Sequence, residues 1–178
     1  RRALELIAEA DADMASEIAT HVSQVKLFEG RGMEGLSSPK AFGAVWIRVP
    51  EPDAALGWFL EHLVHECSHL HLNALFAVDP LLTNPSEINQ APIRPDPRPM
   101  FQILHGTFVL ARNVRVHARV HAAHPELGLG PALEHGLRLG LAQAWRILLG
   151  VEMLAGIQWG LGWMIFGARE FLATDVML

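Results

Sequence analysis

Apolar residues recur at three- and four-residue steps along most of the chain, and the runs are broken at proline and glycine. Leu4, Ile7, Met14, Ile18, Val22 and Val25, with acidic residues between them, predict a helix over residues 3–28. Gly30-Arg31-Gly32 ends it. Ser37-Ser38-Pro39 reads as a loop, and the β-rich run Gly43-Ala44-Val45-Trp46-Ile47-Arg48-Val49 as a short strand. Pro50-Glu51-Pro52 breaks that strand, and Asp53 is placed to N-cap the next helix.

The next helix is predicted over residues 54–78. Leu56, Leu60, Leu63, Cys67, Leu70 and Ala74 draw one apolar stripe along it. At about 100° per residue, His65 points away from the stripe and His69 lies about 40° from His65. Trp58 and Leu72 share the histidine side, so the helix is apolar on both sides and must be covered on both. The histidines therefore face a packed layer rather than open water.

Asp79-Pro80 stops this helix. Residues 83–99 hold five prolines and little periodicity, and read as an irregular loop. Another helix is predicted over residues 99–122, with Ile103, Leu110 and Val114 on its apolar side and His105, Val109 and Arg112 on the other. Helical patterns return over residues 131–149 and on to about 172. The expected fold is mainly α, a bundle-like metalloenzyme with a short β element near residues 43–49. Its divisions are a metal-binding catalytic domain over 1–125 and C-terminal apolar helices over 126–178.

Composition narrows the partners. Half of the 178 residues are apolar, enough for a sizeable core. A net charge of −5 and a pI near 6.0 give no footprint for nucleic acid. The single cysteine cannot form an internal disulfide. The chain opens with neither a signal segment nor an initiator methionine; it reads as an excerpt of something longer, and a cytoplasmic setting is expected. Between Ile147 and Ala168 the only formal charge is Glu152, and Gly156 and Gly160 form a G-x-x-x-G pair. Glu152, Gln158 and five glycines in that stretch argue for buried helices, or for a surface that meets a partner domain or a second copy, over a membrane span.

The chemistry lies in His65-Glu66-Cys67-Ser68-His69, an H-E-x-x-H motif. Two histidines one helical turn apart can reach one metal ion. The adjacent Glu66 can act as a base or orient a ligand. A catalytic site that keeps open positions needs a third ligand. The peptidase pattern H-E-x-x-H-x-x-G-x-x-H fails, because Leu72 and Leu75 occupy its glycine and third-histidine positions. Glu87, in a proline-containing loop, fits poorly as a distant glutamate ligand. His105 is the better candidate, since the long loop allows its helix to fold back beside the first. A lone helical histidine is as readily a structural residue, and the residues alone leave both readings open. His62 is a candidate neighbour of the metal face, His71 reads as structural, and His117, His121 and His124 read as a solvated helix tail.

Four blocks carry a resemblance: residues 38–45, residues 63–75, Asp79-Pro80-Leu81-Leu82, and Asp96-Pro97-Arg98-Pro99 running into Leu104-His105-Gly106-Thr107-Phe108. Together they resemble the H-E-x-x-H peptide β-hydroxylases, Fe(II)- and 2-oxoglutarate-dependent enzymes found with ribosomally made, modified peptides. They span about residues 36–120, and the final fifty residues have no counterpart in the resemblance. It implies that His65, His69 and His105 hold Fe(II), leaving three positions, two for the keto acid and one for O2. The implied reaction hydroxylates a β-carbon of a peptide substrate, which can carry a leader peptide. The distal carboxylate of 2-oxoglutarate needs a cation, for which Arg112 and Arg98 are the candidates. Glu66 is then a supporting residue. The rival expectation is a zinc hydrolase in which Glu66 is the general base.

Overall fold

The computed structural model describes residues 1–90 and 96–129. The expected C-terminal helices, including the 147–168 stretch, lie outside the described residues from 130 onward. Mainly helical structure with a small sheet is what the described residues form.

The single helix expected over residues 3–28 is instead two helices and a strand: α1 (Arg2–Ala10), α2 (Ala12–His21) and β1 (Gln24–Phe28). Asp11 makes the break. Its N–H donates to the Ile7 carbonyl, closing α1, and its carboxylate accepts from the Met14 N–H, capping α2. Beyond Val22 the chain is extended, so Val25 belongs to a strand rather than to a helical stripe.

β2 (Gly35–Ser37) and β3 (Ala44–Arg48) complete a sheet of order β1-β3-β2. β1 runs parallel to β3, with Val25 opposite Val45, and β2 antiparallel, with Leu36 opposite Trp46. The strand expected near 43–49 is therefore present, as the centre of three. The sequence Ser37-Ser38-Pro39, expected as loop, ends β2 and opens a 3-10 turn over Pro39–Ala41 capped by Ser38. Val45 and Ile47 alternate inward and are fully buried.

α3 (Ala55–Val78) is the long motif helix, and it ends at Asp79 as expected. Asp53 does not cap it: a 3-10 turn over Pro52–Ala54 precedes the helix, and Ala54 occupies the cap without a side-chain bond. Leu60, Leu63, Cys67 and Leu70 of the predicted stripe are buried.

The 83–99 segment is not wholly irregular. β4 (Ile88–Gln90) and β5 (Pro97–Pro99) pair antiparallel, Ile88 opposite Pro99. α4 (Met100–Ala123) follows and packs along α3. Its buried side is His105, Val109, Asn113, Val116 and Val120, whereas Ile103, Leu110 and Val114 are half-buried. The face that carries His105 is the more deeply buried of the two, because it is the one that meets α3.

The main core joins Leu6 and Ile7 of α1, Met14 and Ile18 of α2, Leu60 to Cys67 of α3, Val116 and Val120 of α4, and Ile47 of the sheet. α3 thus has α1, α2 and α4 against it as well as β2 and β3. The expectation that it is covered on both sides holds. Among the described residues no helix is long and apolar enough to cross a membrane.

Candidate functional site

Three histidines meet between α3 and α4. His65 and His69 lie one turn apart on α3, their Nε2 atoms 3.2 Å from each other. The other nitrogen of His69, Nδ1, is 3.1 Å from Nδ1 of His105, which the return of α4 brings across. The rings form a row, with centroids 4.9 Å apart for His65 and His69 and 5.4 Å for His69 and His105. Phe76 stacks on His105 at 5.7 Å and Phe101 meets it edge-on at 4.8 Å, walling that end of the row with aromatic carbon.

Burial keeps these imidazoles neutral. It lowers His65 to about 4, helped by the nearby His62, and His69 to about 4, helped by His65 and His105. His105 is lowered by burial as well. Neutral imidazoles present lone pairs, the form a metal requires. Spacings of 3.1–3.2 Å are those of neighbouring donors that each stand about 2.0–2.1 Å from one ion. Nε2 of His105 is buried without a hydrogen-bond partner among the described residues. His69, however, turns a different nitrogen to each neighbour, and among the described residues no three His, Cys, Asp or Glu side chains are grouped as a metal site. In donor type and protonation the residues suit a metal ion, but the two short spacings involve different nitrogens of His69, and bringing all three imidazoles to one centre requires a ring to turn. The same contacts also suit a row of imidazoles hydrogen-bonded to one another.

Glu66 is 4 % exposed and accepts a 2.6 Å hydrogen bond from the Ser37 hydroxyl on β2. Burial raises its pKa, against the lowering influence of that bond. Gly35 makes this approach possible: a Cβ there would stand 2.4 Å from Glu66 Oε1 and 3.2 Å from His62 Cδ2. β2 is thus pressed onto the motif through a glycine and a serine. Their only visible mark in the sequence is a place just before the Ser38-Pro39 turn.

His62 stacks on Trp58 at 4.0 Å and its Nδ1 meets the Trp58 carbonyl at 2.9 Å. A cavity of about 700 Å³ is lined by His62, His65 and Glu66 together with residues 30–35, Arg48 and Glu61. From the sequence, Gly30-Arg31-Gly32 reads only as a helix end and Arg48 only as part of a strand.

Of the two arginines expected near the site, Arg112 reaches between helices. Its Nε donates to Ser68 Oγ at 3.0 Å, its Nη2 pairs with Glu17 of α2, and its guanidinium lies 5.1 Å over Phe108. Arg98 bonds Asp96 at 2.9 Å and Gln102 at 3.0 Å. Glu87 accepts from Asn84 and Asn89, at the surface. His71 meets His21 at 3.0 Å and Glu17 at 3.4 Å, in keeping with a structural part. Of the tail trio, His124 pairs with Glu9 and Glu126, and His117 meets the Asn113 carbonyl. Cys67 is buried, and burial pushes its thiol up to about 12, which leaves it to packing.

No family model matches the chain. A stretch of 51 residues, 29% of this chain, is 47% identical to the taurine transport system permease protein TauC of Escherichia coli (strain K12). It spans only 18% of that permease.

Proposed function

We propose that the chain is an Fe(II)- and 2-oxoglutarate-dependent oxygenase that hydroxylates a side-chain β-carbon of a ribosomally made peptide in the cytoplasm, with His65, His69 and His105 as the iron ligands. The observation that carries this reading is His105, brought by α4 to within 3.1 Å of His69 although 36 residues separate them. Three neutral imidazoles and no carboxylate in the row suit an ion that must leave positions free for a keto acid and O2. Bound iron would supply the oxidising chemistry that an unactivated carbon demands. The chain's own residues do the rest. Phe76 and Phe101 pack against the His105 ring and fix its position, and Ser37 holds Glu66 by a hydrogen bond so that the motif helix keeps its register against β2.

The zinc-hydrolase reading has one observation in its favour: Glu66, with its raised pKa, lines the same cavity as His65. A transport role is not proposed, because the likeness to the permease covers too little of either protein.

The decisive measurement is succinate formation coupled to O2 consumption after anaerobic iron loading, with candidate precursor peptides supplied. Abolition by His105→Ala together with survival in Glu66→Gln is the expected result. Zinc-dependent peptide cleavage that Glu66→Gln eliminates, indifferent to 2-oxoglutarate, establishes the hydrolase instead.

A further inference from the structure

A dicarboxylate co-substrate must be gripped at the end remote from the metal. Of the two arginines named from the sequence, Arg112 already meets Glu17, Ser68 and Phe108, and Arg98 meets Asp96 and Gln102. The cavity that shares His65 with the histidine row has two others on its wall, Arg48 and Arg31.

Arg48 ends β3, and α3 fixes it there. Trp58 Nε1 donates to its carbonyl at 2.8 Å, and its guanidinium lies 4.6 Å over the Trp58 ring. That cation–π contact holds the guanidinium at the ring without using its N–H donors. Among the described residues its guanidinium makes no hydrogen bond. Its ion-pair partner is Glu34, 3.7 Å away, whose side chain is 66% exposed. A pair so long and so wet is worth little, and a ligand carboxylate can replace it at small cost. Trp58 also stacks on His62, whose ring centroid is 6.3 Å from that of His65. One aromatic ladder therefore sets Arg48 relative to the histidine row. Glu34, Glu61 and Glu66 line the same cavity, so the wall is not a diffuse basic patch. What it offers a carboxylate is the Arg48 fork, with Arg31 as a second cation on the wall.

We propose that Arg48 is the carboxylate-binding residue of this site, and that the cavity between residues 30–35 and His65 takes a short dicarboxylate. The inference rests on the oxygenase reading for its choice of ligand, but its test does not require turnover.

Calorimetric titration of the metal-free chain with glutarate isolates the carboxylate grip from keto-acid chelation. Saturable binding is expected. Arg48→Gln weakens it tenfold or more, Arg48→Lys retains part of it, and Lys26→Gln, a loss of charge at an exposed residue outside the cavity lining, leaves it unchanged. Matching far-UV spectra and melting temperatures show that the variants are folded. If the parent protein binds no glutarate, or if Arg48→Gln binds it as the parent does, the assignment is wrong. The two readings separate cleanly. Glutarate binding that depends on Arg48, without any 2-oxoglutarate turnover, keeps the pocket and removes the oxygenase. Turnover whose KM for 2-oxoglutarate ignores Arg48→Gln keeps the oxygenase and removes the pocket.

Discussion

At the scale of the residue, the site couples protonation to stability. His65 and His69 have pKa values near 4 in the folded chain, against about 6.5 for an exposed imidazole. Below 6.5 the unfolded chain therefore takes up protons that the folded chain refuses, so stability falls as pH drops from 6.5 to 4 and is at its full value above that window. His105 is lowered too and acts in the same direction. Glu66 opposes them: its raised pKa makes the folded chain bind the proton more tightly, which favours folding at low pH and costs stability as pH rises past 4.5. The histidines outnumber it, and the net loss on acidification is on the order of a few kcal/mol, or roughly 10 °C in Tm. Thermal melts of metal-free protein from pH 8 to pH 4 test this. The curve should be flat above about 6.5 and fall below it, and more steeply in Glu66→Gln. A Tm that holds to pH 4 would mean that the imidazoles are already solvated.

Elements were legible where they were long and periodic. α3 and α4 begin and end within a residue or two of expectation, because each is a 24-residue helix bounded by proline or Asp-Pro. The N-terminal segment misled for a physical reason. Val22 and Val25 stand three apart, a step that suits a helix, yet β1 is formed by pairing with β3, a contact across 20 residues that no local pattern records. The proline-rich segment misled for another reason: β4 and β5 are three residues each, too short to show a period in the sequence. The site divided along the same line. The i, i+4 pair His65 and His69 was readable from helical geometry alone, whereas Ser37, Gly35 and Arg48 reach the motif through the sheet. Asp11 is the clearest single determinant at this scale. Its side chain is fully buried, it caps α2 through the Met14 N–H, and it stands 2.9 Å from Arg119 and 3.2 Å from Arg115 of α4. The Arg115 contact is within ion-pair distance without hydrogen-bond alignment, so the cap and the Arg119 contact carry most of the effect. Asp11→Ala is expected to cost about 2–3 kcal/mol, of which a lost cap alone is about 1 kcal/mol. Asp11→Asn, which retains the cap, should recover roughly that share in urea denaturation. Equal losses in the two variants would show that charge, not capping, makes the break between α1 and α2.

Across the whole molecule, the motif helix is tied to its neighbours by a polar junction as well as by the apolar core. Glu17 of α2 pairs with Arg112 of α4, Arg112 donates to Ser68 within the motif, and Ser68 donates to the Val64 carbonyl at 2.6 Å. His71 of α3 faces the same carboxylate at 3.4 Å. Arg112 is only 11% exposed in its side chain, so removing Glu17 leaves a nearly buried cation without its counter-charge. Glu17→Ala should therefore destabilise by about 2–4 kcal/mol, toward the lower end because Glu17 itself is partly exposed. Replacing both partners by methionine removes the charge that would be stranded, and the double variant should be more stable than either single one. A double-mutant cycle in urea measures that coupling directly. The same variants decide what Arg112 is for. A brace between three helices predicts that Arg112→Met lowers stability while glutarate binding, measured below the unfolding midpoint, is unchanged. A ligand-binding arginine predicts the reverse: an altered glutarate affinity with little coupling to Glu17. The Ser68 bond gives the brace a further consequence, because Ser68 lies next to His69 in the chain. Loosening Arg112 should blur the spacing of His65 and His69, and metal affinity should fall with stability rather than with ligand affinity.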